Sequence, residues 1–344
     1  MKKHIVILCD GAADTPVTEL NGKTPLEVAH KPNIDRIASM GEMGMTITVP
    51  GNLPPGSDVA NLAVFGYDPQ IYYTGRSPLE AVSIGVPLEL TDTTFRANLV
   101  TLSEAEEKYE EKTMVDYSSD EITTDEAEKL IQAVNEALKT QEYEFFRGIS
   151  YRHLLVWHNK ENKFSLTPPH DISDRKITEY LPKDDVLLAL MKKSYDILKD
   201  HPVNQDRRKR GLRPANSIWI WGNGTKPNLT TYKERFDITG AVVSAVDLIK
   251  GIGYCAGLDV IDVPGATGNV HTNFDGKAQA AIRALQNGAD FVYVHLEAAD
   301  EAGHRREVNN KVKAIELIDE KIVGPIVKAM EESQTPFNML IMPD

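Results

Sequence analysis

Asp300 and His304 stand four residues apart in Glu297-Ala298-Ala299-Asp300-Glu301-Ala302-Gly303-His304. That spacing brings two side chains to one helical face, or within reach across a tight turn, as a two-pronged grip on a metal ion requires. Carboxylate plus imidazole suits Zn²⁺ or Mn²⁺. Read alone, the pair is also a helix-start carboxylate and a surface histidine, with Glu297 and Glu301 as alternative donors. Asp10, just before Gly11, and Asp344, the last residue, each follow an apolar strand-like run. An Asp-Gly pair in that place is often only a turn, and in α/β enzymes it is also a common position for a metal ligand. Ser57 follows Pro54-Pro55-Gly56 and precedes a helical stretch, Asp58–Phe65. Serine before a helix is a preferred N-cap. The same geometry sets a hydroxyl at the positive end of the helix dipole, among free N–H groups where a phosphate also binds. Beside a metal ion that hydroxyl becomes a nucleophile. Three acidic positions after strand-like runs, one with a matched histidine, weigh more together than apart.

The elements that must position these residues are legible as alternation. Short apolar runs at His4–Cys9, Ser217–Trp221, Leu258–Val263, Asp290–His295 and Phe337–Met342 read as strands. Amphipathic stretches at Asp237–Lys250, Phe274–Asn287 and Asn309–Glu331 lie between them. Strand–helix alternation predicts a doubly wound, mostly parallel α/β sheet, with chemistry gathered at the carboxyl ends of its strands. The middle differs. An acidic helix former, Thr123–Lys139, lies between probable strands Phe95–Leu102 and Ile149–His158, and Pro168-Pro169 follows. This predicts a smaller α+β domain over residues 88–182, inserted into a discontinuous domain of residues 1–87 and 183–344. Helix Asp184–Lys199 is expected to lead back to the main sheet. The chain stops on Pro343-Asp344 directly after an apolar run. A doubly wound domain seldom ends there, so further residues are expected downstream.

Composition bounds the function classes. The 344 residues are 41% hydrophobic and 26% charged, values of a globular chain long enough for two domains. No apolar run approaches the roughly 18 residues of a membrane helix, and Ile5–Cys9 is too short for a signal-peptide core. Cys9 and Cys255 form no metal-ligand spacing and fit reduced thiols in a cytoplasmic protein. A net charge of −13 argues against nucleic acid or an anionic membrane as the main partner. A small phosphorylated substrate stays open, because cations held by clustered carboxylates reverse the local field. A homo-oligomer is compatible with all of this.

Several strings together resemble one family. Cys9-Asp10-Gly11, the run from Gly56-Ser57-Asp58-Val59-Ala60-Asn61 to Gly66-Tyr67-Asp68-Pro69, and Tyr73-Thr74-Gly75-Arg76-Ser77-Pro78 are similar to the archaeal-type, cofactor-independent phosphoglycerate mutases. So are Pro264-Gly265-Ala266-Thr267-Gly268, Asp300-Glu301-Ala302-Gly303-His304 and Met342-Pro343-Asp344. The resemblance spans nearly the whole chain. It implies the alkaline-phosphatase-like fold and a glycolytic isomerase that interconverts 3- and 2-phosphoglycerate without 2,3-bisphosphoglycerate. It further implies a phosphoserine at Ser57 and two divalent ions, Mn²⁺ or Zn²⁺ with Mg²⁺ a further candidate. Ser57, Asp10 and Asp344 would hold one ion, and Asp300 and His304 the other. In the family a histidine directly follows the closing aspartate and another lies downstream, both ligands; neither is among these 344 residues. Trp219-Ile220-Trp221-Gly222-Asn223-Gly224, where many members carry Arg-Gly, and His271, where Asp is usual, look more like a bacterial branch provisionally termed homoserine kinase. The alternative is therefore the same site working as a phosphotransferase or phosphatase on another small hydroxy acid. Holding a carboxylate and a phosphate calls for arginine. The insert offers Arg96, Arg147, Arg152 and Arg175, with His153 and Asp171 as acid–base or hydroxyl-binding groups. Tyr151-Arg152-His153 resembles a family string, which favours Arg152 and His153. Arg207-Arg208-Lys209-Arg210 and Arg213 read as a solvated basic loop or as a substrate contact.

Overall fold

Residues 2–344 are described in a computed structural model. Ten strands follow in chain order: β1 (Lys3–Cys9), β2 (Thr93–Leu102), β3 (Met114–Asp116), β4 (Tyr143–Phe146), β5 (Arg152–Trp157), β6 (Ser217–Thr225), β7 (Gly240–Val243), β8 (Asp259–Ile261), β9 (Phe291–Leu296) and β10 (Phe337–Met342). The chain divides into two compact units, residues 1–73 with 228–344, and residues 74–227.

The first unit is built on a parallel sheet of order β10-β1-β9-β7-β8. Its central strands are mostly apolar and buried because both faces are covered. Ile5, Ile7 and Cys9 point to one side with Val292, Val294 and Leu296, into a core shared with helices Phe274–Gln286, Val308–Ile318 and Gly324–Glu332. Val6, Leu8, Val242 and Tyr293 point to the other side and are equally buried. Phe65, after helix Ser57–Val64, stacks on Tyr293 there with ring centroids 4.1 Å apart. Helix Asp247–Cys255 approaches Val242 so closely that a Cβ on Gly253 would lie 2.8 Å from its Cγ2.

The second unit is antiparallel. β5 and β6 flank β2 on its two sides, β4 pairs β5, and β3 continues beside the end of β2. Helices Thr124–Leu138 and Asp185–Leu198 bury Leu130, Ile131, Val134, Leu187, Leu190 and Met191 against Phe95, Leu99 and Leu155.

Three expectations need correction. Ser217–Trp221 is a strand, but it lies antiparallel to β2 (Ala97 opposite Ile220, Leu99 opposite Ile218) and outside the parallel sheet. Helix Asp185–Leu198 packs with it, so the inserted unit runs over residues 74–227 and not 88–182. An apolar run shows that a strand is buried without showing its partner. Asp237–Lys250 is no single helix: Gly240–Val243 is a central parallel strand, and the helix begins at Asp247. Four apolar residues are too few for periodicity to separate strand from helix. Asn309–Glu331 is interrupted by a wider helical turn at Asp319–Val323, where Asp319 accepts from the Asn33 and Ile34 N–H groups.

Candidate active site at the strand ends

The parallel register decides which residues meet. β1 ends at Cys9, and the Asp10 N–H continues the pairing onto Leu296 O at 2.9 Å. Gly11 then turns the chain with φ +64°, and its N–H donates to Asp344 Oδ1 at 3.1 Å. A Cβ on Gly11 would lie 2.4 Å from the Asp300 Cα, so the bare glycine backbone is what allows the first turn to lie against helix Ala298–His304. On that helix Asp300 Oδ2 is 3.4 Å from His304 Nε2. Asp10, Asp300, His304 and Asp344 are thus brought together from three strand ends.

Their electrostatics are those of crowded carboxylates. Asp10 is 1% exposed. Burial first, then the neighbouring Asp344 carboxyl, then Asp300, push its carboxyl up to about 9, with His304 opposing. Asp300 is raised, by burial first, with His304 opposing and Asp344 adding to the rise. Glu297 is raised by burial as well, with His295 opposing. Asp10 Oδ2 and the buried His295 Nε2 share a hydrogen bond of 2.8 Å, while Asp10 Oδ1 is buried with no hydrogen-bond partner. Among the described residues no three His, Cys, Asp or Glu side chains close into a ready coordination group.

Ser57 is tied to β9 through its backbone carbonyl and Asn61. It is the first residue of its helix, and Gly56 is the N-cap, with no side-chain capping bond. The expected capping role therefore does not hold Ser57. A Cβ on Gly56 would lie 2.6 Å from Asp58 Oδ1, so the carboxylate packs against the bare glycine. Asp58 Oδ2 in turn accepts from the Tyr73 hydroxyl at 2.8 Å. One turn along the helix, Asn61 Nδ2 donates to Ser57 O at 2.8 Å, and Asn61 Oδ1 accepts from the Tyr293 hydroxyl at 2.6 Å. Tyr293 is two residues before His295 on β9, so the serine helix is pinned to the strand that carries the Asp10 partner.

The arginines and their neighbours belong to the second unit. Arg96 is largely buried, its Nε on Glu80 Oε2 at 3.0 Å and its guanidinium 4.7 Å from the Trp221 ring centre. Arg152 is exposed, with its guanidinium 4.7 Å from the Tyr151 ring centre. His153, the next residue on β5, points to the opposite face, as strand geometry demands. It is buried, accepts from the Gly148 N–H at Nδ1, and is pushed down to about 3 by burial. Arg152 and His153 therefore cannot share one ligand from the strand. Asp171 is exposed beside His170 at 3.7 Å, and exposed Arg175 donates to the Tyr180 hydroxyl at 3.4 Å. Arg147 pairs with Glu128. The basic run is a structural ion-pair network: buried Arg207 holds Glu126 and Ser119 O, Arg208 pairs with Glu104, and Arg213 with Asp116 and Asp120.

Sequence reading missed His295, Ser244, Glu297 as a buried group, and Lys277. The available signal was a histidine inside the buried run Phe291–Leu296, directly before the acidic segment.

Comparison with known proteins agrees with these strings. The family model described as 2,3-bisphosphoglycerate-independent phosphoglycerate mutase matches residues 38–204. A protein of Geobacter sulfurreducens named as a probable 2,3-bisphosphoglycerate-independent phosphoglycerate mutase is 49% identical over 345 residues, covering 99% of this chain and 85% of the relative. The enzyme so named from Methanosarcina barkeri is 49% identical over 348 residues, with the same coverage. The solved cofactor-independent phosphoglycerate mutase of Thermoplasma acidophilum is 29% identical with a TM-score of 0.66, covering 100% of this chain and 87% of that one. A Pyrococcus horikoshii structure is 32% identical with a TM-score of 0.79, covering 95% and 78%. With a parallel sheet that gathers the motif residues at its carboxyl ends, and with relatives at this identity along nearly its whole length, this chain belongs to the 2,3-bisphosphoglycerate-independent phosphoglycerate mutase family.

Proposed function

We propose that this chain interconverts 3- and 2-phosphoglycerate through a phosphoserine at Ser57, at a two-metal site on an alkaline-phosphatase-like sheet in the cytoplasm. The observation that carries the reading is Asp10. It is fully buried, keeps one oxygen without a partner, and is crowded by Asp344 and Asp300. Leaving a buried acceptor unmade costs about 1–3 kcal/mol, and crowded carboxylates with an imidazole nearby are the oxygen and nitrogen donors that Mn²⁺, Zn²⁺ or Mg²⁺ accepts. The residues fit such ions. Asp10, Asp344 and Ser57 would hold one, and Asp300 and His304 the other. Bound there, divalent cations would neutralise phosphoryl oxygens and lower the hydroxyl pKa of Ser57.

In the first half-reaction Ser57 Oγ gives up its proton and bonds to phosphorus as the bond from phosphorus to the C3 oxygen breaks, and that oxygen takes up a proton to leave glycerate. In the second, the C2 hydroxyl attacks the phosphoserine and Ser57 is released. Transfer of this kind needs positioning and charge neutralisation more than covalent help. Asn61 and Tyr293 would position Ser57, and the Gly11–Asp300 contact would set the spacing of the carboxylates. Of the guanidinium candidates for the substrate's anionic groups, exposed Arg152 is favoured, because Arg96 is already held by Glu80. The relatives' names support the mutase over the homoserine-kinase-like alternative.

The test is the protein incubated with Mn²⁺ and 3-phosphoglycerate, followed for 2-phosphoglycerate and for free phosphate. Interconversion that disappears in Ser57→Ala, with the unfolding midpoint kept, is expected. Turnover in Ser57→Ala near that of the parent would overturn the covalent route, and free phosphate as the main product would favour a phosphatase.

A further inference from the structure

β7, β9 and β1 are neighbours in the parallel sheet, with Val243 opposite Val294 and Leu8 opposite His295. Continuing that register puts Ser244, His295 and the 8/10 face of β1 on one side of the sheet at its carboxyl end. All three polar groups there are buried: Ser244 is 2% exposed, His295 1% and Asp10 1%. Ser244 Oγ accepts from the Val246 N–H at 3.0 Å and lies 3.3 Å from His295 Nδ1, to which its O–H is free to donate. As an ionised cation ligand Asp10 could only accept, so the neutral imidazole would carry its hydrogen on Nε2, 2.8 Å from Asp10 Oδ2, and Nδ1 would accept from Ser244. The main chain of His295 is held as well. Lys277, 1% exposed on helix Phe274–Gln286, donates from Nζ to the His295 carbonyl at 3.2 Å.

We infer that His295 is a positioning residue. Ser244 locks it as the Nε2–H tautomer, and it ties down one oxygen of Asp10 so that the other, Oδ1, is presented to a cation. The inference rests on the two-metal reading above. A histidine serving only to fill the sheet would need neither the Ser244 donor nor the aimed nitrogen. A group that orients a ligand carboxylate acts on metal affinity, and loss of such an outer partner typically lowers it about 10–100-fold.

The experiment is Mn²⁺ titration of the full chain by calorimetry, on the parent, His295→Ala, His295→Gln and Ser244→Ala, with urea midpoints measured alongside. His295→Ala is expected to weaken one Mn²⁺ site about 10–100-fold, and excess Mn²⁺ to restore turnover. His295→Gln, whose amide keeps an N–H donor, should recover part of the affinity. Ser244→Ala removes one hydroxyl and should weaken the same site by a smaller factor, with its urea midpoint reporting whether the fold is kept. Should His295→Ala fail to fold, the other two variants decide. Parent-like Mn²⁺ affinity in both His295→Gln and Ser244→Ala, with the parent binding Mn²⁺, overturns the inference alone. A parent that binds no Mn²⁺ overturns it together with the reading beneath it.

Discussion

Gly11→Ala isolates the contact that sets the site's spacing. Gly11 adopts φ +64°, and an added Cβ would lie 2.4 Å from Asp300 Cα, 2.6 Å from its Cβ and 2.8 Å from its N. Gly22 provides the control: φ is +75°, and a Cβ there meets nothing within 4 Å. An alanine forced into the left-handed region costs about 1–2 kcal/mol at either position. Only Gly11 adds the overlap. Ordinary contact begins at 3.4 Å, so Asp300 or the Asp10 turn must retreat by about 1 Å, and forced overpacking of that kind adds about 1–3 kcal/mol. Gly11→Ala should therefore be destabilised by about 2–5 kcal/mol and Gly22→Ala by about 1–2 kcal/mol. A displacement of about 1 Å at a reacting centre costs on the order of 100-fold in rate. Urea midpoints and 2-phosphoglycerate formation, measured on both variants, give the comparison. Gly22→Ala should keep its activity. If Gly11→Ala matched Gly22→Ala in stability and in rate, the claim that this glycine spaces Asp10 from Asp300 would be wrong.

Chelation with EDTA should abolish interconversion, and added Mn²⁺ should restore it in the parent but not in Asp300→Ala; unchanged turnover after exhaustive chelation would contradict the two-metal reading. Glu80 is held below the usual carboxylate range by Arg96 and Arg76 against the opposing effect of its burial, and it bonds to both. Glu80→Ala leaves the Arg96 guanidinium uncompensated, and urea unfolding should show a loss of about 3 kcal/mol. Burial pushes His153 down to about 3 from an ordinary 6.5. The unfolded chain therefore takes up a proton below about pH 6.5 that the folded one refuses. This contribution is complete above that pH and shrinks as pH falls toward 3, by up to about 1.4 kcal/mol per pH unit. His153→Gln should flatten the fall in urea midpoint between pH 6.5 and 4, and an unchanged slope would show that His153 titrates normally.

Much of the parallel unit was readable because its signals are local. Phe337–Met342 and Phe274–Gln286 match their expected bounds to within a residue, since a run of buried strand residues and a 3.6-residue period are written in neighbouring positions. The family was readable for the same reason: Gly56-Ser57-Asp58-Val59-Ala60-Asn61 is one contiguous string. Pairing was not. Ser217–Thr225 has the composition of a parallel-sheet strand, yet it joins β2 in antiparallel register and so lies within the unit of residues 74–227. That Arg152 and His153 leave their strand on opposite faces follows from the strand itself, but only the fold decides that His153 takes the buried face. The tertiary structure alone decided that His295, buried in an apolar run, aims Nε2 at Asp10, and that Gly11 lies on the Asp300 backbone. These contacts join residues more than 280 positions apart. Such contacts arise from strand register, a property of paired chains that no single stretch of sequence contains.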